Sequence, residues 1–264
     1  MIRWLKRDGA PTPPERTGME MEDALDAAHA GDYERAIALW LPHAHAGSAR
    51  AQSNLGLCLC RGLGVPTDPA TGAKWLLAAA EQGEAQAQRL LAECYFKGEG
   101  VGQDDALARD WYRKAADLGD AEAQDMLSWM AAETGENPAD YVESRRWALA
   151  AAEQGNSASM TRLGMFYNDA LGVERDPLVA VYWWRKAAML GDADGQAMLG
   201  AAYHLGTGVE KDPIEALVWL IRAQSGRSPL AERFIYTVRA AMDPADARQA
   251  DLRARRPFGM EAGR

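Results

Sequence analysis

The chain has 264 residues, of which 48% are hydrophobic and 25% charged, and a formal net charge of -9. That balance is ordinary for a globular protein and leaves room for one or two domains. The negative sign argues against nucleic acid as a partner, because phosphate contacts need a basic face, and favours a basic or solvated protein surface instead.

At the N-terminus, Met1 to Arg7 carry charge but no apolar core, and a Pro-rich run from Pro11 to Pro14 follows. This is not a secretory signal. No stretch approaches the length of a transmembrane helix. Ile2, Trp4 and Leu5 beside Arg3, Lys6 and Arg7 could touch a membrane surface, but the segment spans barely two turns, so membrane contact is not expected. Residues 1–18 are read as a flexible leader. Met19 to Ala30 then predicts a short amphipathic helix. Asp32 is placed to cap a second one, with Tyr33, Ala36, Ile37 and Trp40 on one face. Residues 19–48 thus resemble a degenerate first repeat without the long glycine loop, as a terminal unit with one uncovered side is expected to be.

From there the chain repeats itself. Trp75, Trp111, Trp147, Trp183 and Trp219 recur at a constant step of 36 residues, a period that signals a stacked helical repeat. Leu55, Leu91, Leu127, Leu163 and Leu199 keep the same step, each followed by a small residue: Gly56, Ala92, Ser128, Gly164 and Gly200. Asp68, Asp104, Asp140, Asp176 and Asp212 hold one slot each and are expected to cap the second helix of every unit, with Pro69, Pro177 and Pro213 in its first turn. Glycine closes the units at Gly83, Gly119, Gly155 and Gly191. The small residues should let the two helices of a unit, A and B, cross closely, and the tryptophans should fill the groove between units. Truncating a tryptophan buried in that way would cost roughly 3–5 kcal/mol. Five full repeats cover residues 49–227.

The third unit departs from the pattern. Its connector reads Thr134-Gly135-Glu136-Asn137 before Pro138, and Ala131 stands where Tyr95, Tyr167 and Tyr203 stand elsewhere. A connector specialised for a partner is one reading; drift in an exposed loop is the simpler one. After the fifth unit, Pro229 to Ala241 and a segment beginning at Asp243-Pro244 predict two capping helices within residues 228–256, and residues 257–264 are expected to fray.

No cofactor, metal or catalytic group is expected. Gly62-Leu63-Gly64, Gly98-Glu99-Gly100 and Gly206-Thr207-Gly208 follow helices rather than strands, so they are structural glycines and not phosphate loops. His43 and His45, like Cys58 and Cys60, lie two apart on a helix and point away from each other, which does not suit one ion. Cys58 and Cys94 hold the same slot of neighbouring units, beyond disulfide reach, so free thiols in a reducing compartment are expected. No nucleophile and base stand in a recognisable arrangement.

The pattern Ala-x-Ala-Gln-x-x-Leu-Gly, a Gly-x-Gly-Val connector, an Asp, a Trp and an Ala-Ala-x-x-Gly ending resembles the Sel-1-like repeat family. Gln52, Gln88, Gln124, Tyr95, Tyr203, Lys114 and Lys186 follow it. The resemblance implies an all-α, right-handed α-α superhelix of the tetratricopeptide type that acts as an adaptor; with the free thiols and the absence of a signal or span, a cytoplasmic, non-catalytic adaptor is expected. An alternative it carries is the β-lactam binding or hydrolysis proposed for cysteine-rich members, whose paired cysteines this chain lacks. By analogy with such solenoids, the A helices line a concave groove that takes a peptide or protein segment. The slots left over from packing would put Phe96, Trp129 and Met165 there as an apolar stripe, with Arg89, Glu93, Asp125, Met126, Arg162 and His204 nearby. Oligomeric state is left open.

Overall fold

The computed structural model describes residues 14–133 and 139–256, with side chains described from Glu20 onward. The leader up to residue 13 with its Trp4 segment, the third connector at 134–138 and the tail from 257 lie outside the described residues. Within them the chain forms fourteen α-helices and no strand. It divides into two compact units, Met1–Ala123 and Gln124–Arg264.

The first unit opens with α1 (Pro14–His29) and α2 (Tyr33–His45). Helix α1 starts at Pro14 rather than at Met19, so part of the expected leader is helical. A proline suits that position, since its fixed φ is already helical and its missing N–H leaves no donor unpaired. Asp32 caps α2 by accepting from the Arg35 amide at 3.1 Å. Then come α3 (Ala49–Arg61) with α4 (Pro69–Ala80), and α5 (Ala85–Lys97) with α6 (Asp105–Asp117), each an A helix packed on its B helix. The second unit holds most of α7 (Ala121–Ala132), then α8 (Tyr141–Glu153), α9 (Ser157–Asp169), α10 (Pro177–Met189), α11 (Ala193–Leu205) and α12 (Pro213–Ser225). Two final helices, α13 (Pro229–Ala240) and α14 (Pro244–Ala254), both pack on α12. Arg222 of α12 donates to the carbonyls of Arg253, Ala254 and Arg256 and so satisfies the open end of α14.

Every repeat closes its A-to-B connector in the same way. The amide of the capping aspartate donates to a carbonyl in the last turn of helix A: Asp68 to Leu59, Asp104 to Tyr95, Asp140 to Ala131, Asp176 to Tyr167 and Asp212 to Tyr203, all at 2.8–3.1 Å. The same carboxylates accept from the first-turn amides of helix B, among them Thr71, Leu107, Glu143, Val179 and Glu215. Each aspartate thereby pairs donors that a helix N-terminus otherwise leaves open. The third repeat keeps this closure, although its connector sequence differs.

The helices of a repeat cross where both are small. Gly56 meets Gly72, Ser128 meets Ser144 and Gly200 meets Ala216; a Cβ on Gly56 would stand 3.0 Å from the Gly72 carbonyl. The tryptophans are less uniform than their spacing predicts. Trp147 and Trp219 are buried, but Trp75, Trp111 and Trp183 are only half-buried. The next residue on each B helix is more uniformly buried: Leu76, Tyr112, Ala148, Trp184 and Leu220 are all at most 3% exposed. That side chain faces the small slot of helix A: Leu76 covers Gly56, Trp184 covers Gly164 and Leu220 covers Gly200. The repeated tryptophan lies beside it and carries a cation over its ring in four units, Lys114 on Trp111, Arg146 on Trp147, Lys186 on Trp183 and Arg222 on Trp219.

Candidate functional site

The A helices present three slots away from their B partners. The last of these is exposed in every repeat, at Arg61, Lys97, Glu133, Asp169 and Leu205. The first is graded. Leu57 and Glu93 are half-buried, Trp129 and Met165 are each 37% exposed, and Ala201 is buried. Trp129 on α7 and Met165 on α9 are therefore equivalent large apolar residues on adjacent A helices of the second unit, both open to solvent. Beside them, Arg162 donates to the Asp125 carboxylate at 2.7 Å and to Ser128 Oγ at 3.1 Å, tying α9 to α7. Ser159 adds a second donor to Asp125. Met126 lies half-buried next to this pair.

The expected residues of the first unit are engaged with one another. Arg89 pairs with Glu93 at 2.9 Å, Asp120 at 3.2 Å and Glu122 at 2.8 Å, so its charge is largely spent on neutralising three carboxylates. Phe96 is half-buried on the same helix. His204 lies edge-on to Phe234 of α13 at 6.5 Å between ring centroids, which gives it a role in seating that helix. The two histidines of α2 are likewise accounted for. His43 is buried with Nε2 3.1 Å from Glu20, and His45 stands edge-on to Trp75.

A second feature was not legible from the spacing. In the first and third repeats two glutamines join helix A to helix B, Gln82 to Gln52 at 2.8 Å and Gln154 to Gln124 at 2.9 Å. The fourth repeat carries Met160 and Leu190 at those two positions. With Tyr182, Arg185, Lys186 and Met189 they line a cavity of about 410 Å³ between α9 and α10. Two of these lining residues, Arg185 and Lys186, are cationic, and Arg185 donates to the Tyr203 hydroxyl at 3.0 Å. The signal available in the sequence was the break in the glutamine column.

Among the described residues, no group of three or more His, Cys, Asp or Glu side chains could hold a metal ion. The three cysteines are unpaired, and burial pushes the Cys58 thiol up to about 11. No described helix is long and apolar enough to cross a membrane. The surface can bind by shape and apolar contact.

A family model described as Sel1 repeat matches residues 49–84, 85–120, 121–156, 157–192 and 193–223. Among solved structures, the chain is similar to a Sel1 repeat protein from Oxalobacter formigenes, with 27% identity and a TM-score of 0.79 over 90% of this chain and 98% of that one. It is similar to c5321, a protective antigen present in uropathogenic Escherichia coli strains that displays an SLR fold, with 29% identity and a TM-score of 0.75. That match covers 92% of this chain and 56% of the antigen, so the chain spans little more than half of it. The immunity protein Pa5087 from Pseudomonas aeruginosa, 18% identical with a TM-score of 0.50 over 94% of this chain and 87% of that one, shares the fold alone. No curated protein matches.

Proposed function

The chain belongs to the Sel1 repeat family, and from that premise we propose that it is a non-catalytic adaptor that holds a peptide or protein segment along the outward face of its A helices. The Sel1 repeat fold is typical of protein-interaction modules. The observation that supports this face is the pair Trp129 and Met165, equivalent in adjacent repeats and each 37% exposed. Exposed aromatic and methionine side chains are common anchors for partners. The Arg162–Asp125 pair between them holds the two A helices in fixed register, so the anchors are preorganised and less freedom is lost on binding. A cytoplasmic setting belongs to the proposal, supported by three unpaired thiols of the kind that reducing compartments preserve.

A photo-crosslinking residue in place of Met165 tests the face directly. It should give one discrete protein adduct in cells, whereas the same residue in place of Tyr236, which is 72% exposed on α13, should not. Equal labelling at both positions would remove the support for this face.

A further inference from the structure

Two of the three thiols meet. Cys94 of α5 is buried in the core cluster of the first two repeats, and Cys60 of α3 packs against that cluster from its edge, half-buried. The space for the Cys60 sulfur is made by Gly72 of α4. A Cβ on that glycine would come within 2.5 Å of Cys60 Sγ, so the absence of a side chain lets the thiol turn inward between α4 and α5. There it packs against the cluster that holds Cys94, and each thiol is the leading influence on the other's titration. Equivalent slots on successive A helices are 36 residues apart, but Cys60 and Cys94 are 34 apart, and this offset of two places them on facing sides of adjacent helices. Cys58, which does hold the slot equivalent to Cys94, is fully buried and takes no part.

We propose that Cys60 and Cys94 form a redox-active dithiol, which a two-electron oxidant of the hydroperoxide class converts to a disulfide that staples α3 to α5. The chemistry divides between an accessible and a buried sulfur. The Cys60 thiolate attacks the distal oxygen of the hydroperoxide. The O–O bond breaks, the leaving oxygen departs as hydroxide or alkoxide and takes a proton from solvent, and Cys60 becomes a sulfenic acid. The Cys94 sulfur then attacks the sulfenic sulfur. The S–S bond forms, the S–O bond breaks, and the hydroxyl leaves as water with the Cys94 proton. Overall two thiols lose two electrons and two protons to the peroxide. The neighbouring Cys94 thiol holds Cys60 below the ordinary thiol range, with Arg61 adding a smaller effect in the same direction, while burial and the Glu99 and Asp68 carboxylates work against it. The staple would join the A helices of the first and second repeats one turn from Phe96, and so bear on the outward face of α5.

The experiment treats the full native chain with hydrogen peroxide, blocks remaining thiols with an alkylating agent, and reads the intact mass and the tryptic peptides. The expected product is monomeric, lighter by two hydrogens, with one alkylation site left after unfolding and residues 51–61 linked to 90–97. Because Cys58 shares the first of those peptides, the Cys58→Ser variant identifies the partner: the link should persist in it and vanish in Cys60→Ser. In Cys94→Ser, Cys60 should stop at the sulfenic acid and react with dimedone. Should that variant fail to fold, the mapping of the wild-type chain still decides. A link that is lost in Cys58→Ser, a dimer joined through Cys60, or over-oxidation of Cys60 with Cys94 left as a free thiol would each overturn the proposal.

Discussion

Gly164→Ala puts the close packing inside a repeat to a quantitative test. A Cβ at this position would stand within 2.4 Å of Trp184 Cδ1 and closer still to its Nε1. The ring is 3% exposed, and its Nε1 donates to the Thr161 carbonyl at 3.2 Å. It has little room to retreat. Overpacking of this kind costs about 1–3 kcal/mol. If the indole is displaced far enough to lose its acceptor, a buried N–H left unpaired adds about 1–3 kcal/mol. Replacing a mid-helix glycine by alanine returns roughly 1 kcal/mol through helix propensity. With the acceptor lost, the net expectation is a destabilisation of about 1–5 kcal/mol, larger than for Gly200→Ala, where the added methyl meets Leu220 Cγ at 2.9 Å. Urea unfolding followed by circular dichroism, with midpoints compared because repeat arrays can lose two-state behaviour, gives the ranking. A Gly164→Ala protein as stable as wild type would refute the reasoning.

Ala170 adopts φ 58° at the end of α9, where Gly62, Gly98 and Gly206 end the A helices of the first, second and fifth repeats. Ala170→Gly should therefore raise stability by about 0.5–1 kcal/mol in the same unfolding assay, the relief of a left-handed alanine exceeding the added chain entropy. Trp147→Ala, at a site 4% exposed, should cost about 3–5 kcal/mol, and Trp111→Ala at its half-buried site clearly less. Arg239 holds the Asp251 carboxyl below its ordinary value of 3.8 by donating to it between α13 and α14. Folding favours the charged form, so the pair's contribution is present above the unfolded pKa and disappears as pH falls through the lower, folded one. Both side chains are more than a third exposed, which limits the effect to about 0.2–1 kcal/mol. Asp251→Asn should therefore lower the unfolding midpoint near neutral pH and leave it unchanged in strong acid.

The repeat and its capping were legible because they depend on local chemistry. Aspartate, proline and glycine act within a few residues of where they stand, so spacing alone placed the B-helix caps from Asp68 to Asp212. Depth was harder to read. The recurring tryptophan draws the eye, yet the following residue is buried in every repeat, and its occupants Leu76, Tyr112, Ala148, Trp184 and Leu220 have no residue type common to all five. What they share is a small partner across the helix crossing, a relation between positions 20 residues apart. Contacts that cross the repeat off its period were invisible for the same reason. Cys60 meets Cys94 because of an offset of two, and the cavity at Met160 and Leu190 arises where two columns change together. On the A-helix face the sequence placed Trp129 and Met165 in the outward slot, but the pairings that occupy Arg89, Glu93 and His204 depend on three-dimensional neighbours.

The central claim is that the outward A-helix face around Trp129 and Met165 holds a protein partner. The most direct measurement is affinity enrichment from the native lysate with wild type and a Trp129→Ala/Met165→Ala variant, matched for helicity and thermal midpoint, and with Leu178→Ala as an exposed control on α10. The account predicts one partner recovered equally by wild type and Leu178→Ala and lost by the double variant. Equal recovery of that partner by all three proteins would contradict it.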